Sequence, residues 1–232
     1  MTVNKDVDTV YWCKIFKGPE MNEKHHIIGF EPILTRDTIS KRTMVQHMTL
    51  FECTGGAFTS DQLGQLSKSN GLVCNSNNLN TVSGETNWKS CITPVASWSN
   101  GGVAQYLPEH VGIPVGKMNY YMLEIHYDNP SRTNFEDKSG LRIHYTEKLR
   151  KFDGGILVTG VAISNTQFIP PRQKSFRNLG ICGQTCTGRK DVFPEEGINL
   201  VSVSIQTHSA GRKFILSHVR NGTELDKIVE DK

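Results

Sequence analysis

Apolar and polar residues alternate with a period of two along much of the chain. In Tyr121-Met122-Leu123-Glu124-Ile125-His126-Tyr127 one face carries Tyr121, Leu123, Ile125 and Tyr127, and the other carries Met122, Glu124 and His126. Successive strand side chains point to opposite faces, so this pattern predicts a half-buried β-strand. Val201 to His208 alternates in the same way, with Ser202, Ser204, Gln206 and His208 on its second face. Further strand candidates are Tyr11 to Phe16, His26 to Leu34, Met44 to Phe51, Leu141 to Thr146, Ile156 to Ile163 and Lys213 to Val219, separated by Gly, Pro and Asn clusters. Helical periodicity is nearly absent; Ser60 to Leu66 has room for one turn or two. Many short strands with polar turns predict an all-β chain, an antiparallel sandwich or barrel. The basic stretch Lys148-Leu149-Arg150-Lys151 runs through Phe152-Asp153 into Gly154-Gly155, which puts a domain boundary near residue 150 and divides the chain into 1–150 and 151–232. The Asn-rich run Asn75 to Asn80 reads as a surface loop.

Composition narrows the classes. At 232 residues and 37% hydrophobic the chain can bury a proper core. Charges of both signs are mixed along it and the net charge is only +3, so no nucleic-acid-binding surface is expected. Apolar runs such as Ile156-Leu157-Val158 fall far short of the roughly 20 residues that span a bilayer, so no transmembrane helix is expected. Met1 to Asp6 lacks the apolar segment of a signal peptide. The cysteines point elsewhere: Cys13, Cys53, Cys74 and Cys91 sit among polar loops at spacings that fit neither a zinc ribbon nor a redox pair, and disulfides are the better reading. Bridged cysteines imply the secretory pathway or the extracellular space, and hence a natural start upstream of Met1. Asn221-Gly222-Thr223 is both a glycosylation sequon at Asn221 and a hairpin-turn sequence.

Eight histidines raise the question of a transition-metal site, because imidazole suits copper, zinc and iron. His25-His26 is conspicuous, but adjacent strand residues point to opposite faces and chelate one ion only across a bulge or twist. His110, His144 and His218 read as solvated or hydrogen-bonded. His126 and His208 each stand on the polar face of an otherwise apolar strand, where an imidazole needs a partner or a metal.

Read in order, several motifs share one source. Tyr11-Trp12-Cys13, His25-His26-Ile27-Ile28 with Glu31-Pro32, and Val45-Gln46-His47-Met48 running to Phe51-Glu52-Cys53 come first. Glu124-Ile125-His126-Tyr127-Asp128-Asn129-Pro130, Ser139-Gly140-Leu141-Arg142, Lys148 to Phe152, Ile169-Pro170-Pro171 and Thr207-His208 with Gly211-Arg212 follow. The series covers nearly the whole chain. It resembles the catalytic core of the copper- and ascorbate-dependent monooxygenases, the family of dopamine β-hydroxylase, more closely than it resembles the peptide-amidating branch.

The resemblance implies two consecutive jelly-roll-like antiparallel β-sandwich domains, the second incomplete, each holding one copper in the family. Ascorbate is the family reductant, and a carbon of a phenylethylamine-like amine is hydroxylated with O2. Family pattern places the first copper on Gln46, His47 and His126, so one imidazole is missing. The second takes positions Gln206 and His208 plus a methionine in a region beyond Lys232. Tyr11 carries over an active-site role, and His25-His26 is not the ligand pair. The family's bridges imply Cys13–Cys74 and Cys53–Cys91, while Cys182 and Cys186 match a pair whose partners lie further on.

A glutamine amide oxygen is a hard, weak donor beside imidazole. Losing a partner one shell out from a metal typically costs roughly 10–100-fold, and a lost ligand should cost at least as much. The expectation is therefore a chain of monooxygenase descent with at most one weakly held copper and activity lost or impaired. The alternative is a non-catalytic secreted β-sandwich binding protein. An incomplete gene product is a third reading, but Gln46 and Gln206 lie within the chain, so extending it leaves both sites an imidazole short.

Overall fold

The computed structural model describes residues 1–36, 42–54, 58–74, 90–116, 120–161, 168–191, 193–207 and 210–232. In chain order these form β1 (Thr2–Val3), β2 (Thr9–Lys17), β3 (His25–Ile33), β4 (Val45–Cys53), α1 (Ser60–Ser67), β5 (Leu72–Val73), β6 (Thr93–Ser99), β7 (Gln105–Tyr106) and β8 (Val111–Val115). After them come β9 (Tyr120–Asp128), β10 (Phe135–Glu136), β11 (Gly140–Thr146), β12 (Phe152–Asp153), α2 (Gln184–Thr187), β13 (Phe214–Arg220) and β14 (Thr223–Asp231). The chain is all-β in class. It divides into two compact units, Met1–Ile198 and Asn199–Lys232.

Two larger sheets and the short antiparallel pair β1–β10 build the first unit. One runs β5-β2-β9-β4-β6; the other runs β11-β3-β8-β12, with β7 also paired to β3. Pairing is antiparallel except for the short parallel match of β12 to β8. The alternation read from β9 has its expected effect: Leu123, Ile125 and Tyr127 enter a core shared with Met48, Trp98, Ile27 and Val115, so the sheets face each other as a sandwich. Each such side chain removed from water contributes about 1.5–3 kcal/mol.

The opposite face of the first sheet is covered as well. Cys13, Ile15, Cys53 and Met122 form a second core with Leu63 of α1. The helix starts there because Thr59 and Gln62 make a capping box: the Gln62 amide donates to Thr59 Oγ1 at 3.3 Å and the Thr59 amide to Gln62 Oε1 at 2.9 Å. Cys13 is bonded to Cys74 and Cys53 to Cys91, the pairs that the family resemblance implies. Closing loops of this size is worth about 2–4 kcal/mol each.

A buried polar network holds the strand ends. The Tyr127 hydroxyl donates to Asp137 Oδ2 at 2.8 Å, and Ser139 donates to the same carboxylate through Oγ and its amide. Burial and then the Asp137 charge push the Tyr127 phenol well above its ordinary value. Asn129 Nδ2 donates to the carbonyls of Asn4, Val7 and Thr133, so the Asn of the Asp128-Asn129-Pro130 motif works as a clamp.

Two strand expectations fail. Ile156 to Val161 and Val201 to Thr207 form no strand, and Ala162, Ile163 and His208 lie outside the described residues. Alternation becomes a strand only against a paired backbone and a facing apolar layer. Leu157 and Val158 instead stand exposed, at 41% and 69%. The Asn75 to Asn80 segment also lies outside the described residues.

In the second unit β13 and β14 form a hairpin. Its turn takes positive φ at Asn221 and Gly222, 50° and 77°, the pair of angles a tight primed turn requires.

Candidate metal centre

The site is built by register. Strand β9 lies between β2 and β4, with Tyr11 opposite His126 on one side and His47 opposite His126 on the other. Directly opposed residues share a face, so three rings from three strands meet on the side away from the sandwich core. Tyr11 stacks on His126, centroids 4.1 Å apart and planes 4° from parallel. His47 and His126 have centroids 5.0 Å apart, and Tyr11 lies 5.8 Å from His47. Both histidines are buried, at 8% and 3% exposure.

A β-bulge places Gln46 beside this group. Val45 pairs with Tyr127 and His47 with His126, leaving Gln46 as an extra residue in β4. Such an insertion lets neighbouring side chains be aimed together where a regular strand would send them apart. Gln46 Nε2 donates to Asp128 Oδ2 at 3.2 Å, and Asp128 shares the face of β9 that bears His126.

Three neighbours went unnoticed as part of a site in the sequence. Thr9 Oγ1 shares a hydrogen bond of 2.8 Å with His126 Nε2. The buried Glu124 carboxylate lies 3.9 Å from His47 Nε2, and Asp128 holds Gln46. The alternation in β9 already puts Glu124 and Asp128 on the His126 face; Thr9 comes from another strand and only register reveals it.

The donor set fits a metal in part. Two imidazoles converge, suited to copper, and the remaining oxygen of the Gln46 amide is a hard donor. A compact group of Cys13, Cys74 and Glu124 also has donor atoms within 4.8 Å of one another, but both sulfurs are spent in the disulfide. The residues expected at a second copper do not make a comparable set: Gln206 is exposed and in no strand, and His208 lies outside the described residues.

The other candidates are apart from this face. His25 and His26 point to different surroundings, His26 fully buried and His25 hydrogen-bonded to the Glu23 carbonyl. His144 pairs with Glu31, His110 sits edge-on to Phe152, and His218 is exposed. Cys182 and Cys186 are free thiols, and the hydrogen bond that the Cys182 thiol makes to Cys186 pushes Cys182 up. Among the described residues no helix is long and apolar enough to cross a membrane.

Comparison with known proteins gives the family. Residues 1–134 match the copper type II ascorbate-dependent monooxygenase N-terminal domain, and residues 152–232 match the C-terminal domain of the same family. The chain is 48% identical over 238 residues to MOXD1 homolog 1 of Drosophila melanogaster, covering 100% of this chain and 33% of that protein. It is 34% identical over 239 residues to human DBH-like monooxygenase protein 1, covering 99% and 37%. Against human dopamine beta-hydroxylase it is 33% identical over 228 residues, covering 97% and 34%. The chain therefore spans about a third of the length of the curated relatives it matches. With both domain models matched in order and paired imidazoles on the sheet face, the chain belongs to the copper type II ascorbate-dependent monooxygenases.

Proposed function

We propose that this chain keeps one weakened copper centre, on His47 and His126, and does not complete the hydroxylation of a phenylethylamine-like substrate. The observation that carries this reading is the residue in the bulge of β4: the side chain delivered beside His47 is the Gln46 amide, bound to Asp128, where an imidazole would complete the set. Copper bound at this face would pass single electrons from ascorbate. The chain's own contribution is orientation: Tyr11 supports the His126 ring by stacking, Thr9 occupies its Nε2, and Glu124 faces His47. Fixed ligand orientation raises metal affinity, which is why two imidazoles suffice for a weak site. For the second centre Gln206 supplies no imidazole.

The domain boundary belongs near residue 150, in keeping with the two matched segments. Two disulfides fit maturation in the secretory pathway, and Asn221, exposed at its turn, is the residue we assign to N-linked glycosylation.

Titration of the purified chain with Cu(II), followed by electron paramagnetic resonance, tests the centre. Ascorbate-driven oxygen consumption with tyramine or dopamine tests turnover. One weak site and no coupled hydroxylation are expected. Two tightly held coppers with product formation would sink the reading.

A further inference from the structure

We propose that His26 is a proton-sensitive clasp that holds the Arg150 backbone amide and Asp153 to the sandwich in its neutral form and lets the Arg150 amide go when protonated. This goes beyond the copper reading and does not depend on it.

Both ring nitrogens of this fully buried side chain are spent on the segment Arg150–Gly154. The Arg150 backbone amide, which can only donate, points at Nδ1 from 2.9 Å. Nδ1 must therefore carry the lone pair, and the proton sits on Nε2, which donates to Asp153 Oδ1 at 2.9 Å. One tautomer of the neutral imidazole satisfies both bonds. The ring lies against backbone: a Cβ built on Gly112 would come 2.5 Å from the Cβ and Cγ of His26, so that position must stay bare for the ring to be seated.

The rest of the segment is held independently. Arg150 Nη1 donates to the carbonyls of Leu107, Pro108 and Val111, and the amides of Phe152 and Gly154 donate to the carbonyls of His110 and Gly112. The charged groups that face the ring are the Asp153 carboxylate on β12 and, behind it, the Lys24 ammonium, 2.6 Å from Asp153. Strand β8 has no titratable side chain between Val111 and Val115, and β11 sets Thr146 opposite His26.

A second ring proton would land on Nδ1, where the Arg150 N–H already points. Two donors then face each other and that bond is lost, while the Nε2 bond to Asp153 survives as an ion pair. A clasp built this way is opened by acid, because the atom that would take the proton is the one that holds the Arg150 amide. The loss is local: the Arg150 amide is freed, while the Arg150 guanidinium and the Gly154 amide keep their own bonds.

The test uses the full chain. Nitrogen-15 NMR of His26 at pH 8 should give the Nε2–H tautomer. Amide hydrogen exchange, corrected for its intrinsic pH dependence, should show Arg150 protection falling about tenfold between pH 8 and pH 5, the scale of one hydrogen bond. Gly154 protection should hold. In His26→Gln, whose amide oxygen accepts at any pH, Arg150 protection should be flat. The Nδ1–H tautomer at pH 8 would overturn the proposal. So would Arg150 protection that does not change in the native chain, or that falls as far in His26→Gln. Should that variant fail to fold, the two measurements on the native chain decide alone.

Discussion

At the scale of single residues, Gln46 sets what the site can do. A histidine there would sit in the same bulge, next to His47 and across from His126. We expect Gln46→His to tighten copper binding at least about tenfold, the scale on which metal sites respond to one lost or gained partner. Competition titration against a chelator of known affinity checks it, and unchanged affinity would count against the ligand assignment. Much of this face is legible from the alternation of β9 alone, which separates Met122, Glu124 and His126 from the core between the two sheets. Thr9 is not, because its contact with His126 spans 117 positions of sequence and exists only once β2 pairs with β9. His26 is a similar case: its place in a strand is legible, but its burial and its bonds to Arg150 and Asp153 depend on where the chain returns.

At the scale of elements, strands are found where alternation coincides with a partner. Expected strands at Tyr11, His26, Met44, Tyr121, Leu141 and Lys213 all appear, shifted at their ends by a few residues. Those at Ile156 and Val201 do not, since periodicity records which side chains could be buried and says nothing of what is available to bury them. The β13–β14 hairpin has an electrostatic lock. Lys213 and Lys227 lie 2.5 and 2.6 Å from the two oxygens of Glu230 and hold its carboxyl down to about 2. An unfolded glutamate titrates near about 4.3, so the lock's contribution is whole above that pH and drains away as pH falls toward 2. Carbon-13 titration of the Glu230 carboxyl should give a midpoint near the lower value, and Lys213→Gln should raise it. A midpoint near 4 in the native chain would refute the lock.

Across the whole molecule, burial is unevenly distributed. Met48 is fully buried in the sandwich, whereas Leu179 and Ile181 are 73% and 77% exposed. Met48→Ala should cost about 2–5 kcal/mol in chemical denaturation. Leu179→Ser should stay within about 0.5 kcal/mol and lower the binding of a hydrophobic dye. Equal costs at the two positions would mean that the apolar residues after Gly154 share the same cooperative core. The bulge of β4 carries a last implication for the economy of the fold. Val45, Met48 and Leu50 all face the core, and with Gln46 excised they would fall on every second position of an uninterrupted strand. A one-residue deletion at 46 should therefore fold with stability within about 1 kcal/mol of the parent, the bulge being a local irregularity that the ladder closes over. Hydrophobic packing makes no demand for the inserted residue; what the kink adds is the Gln46 side chain beside His47 and Asp128.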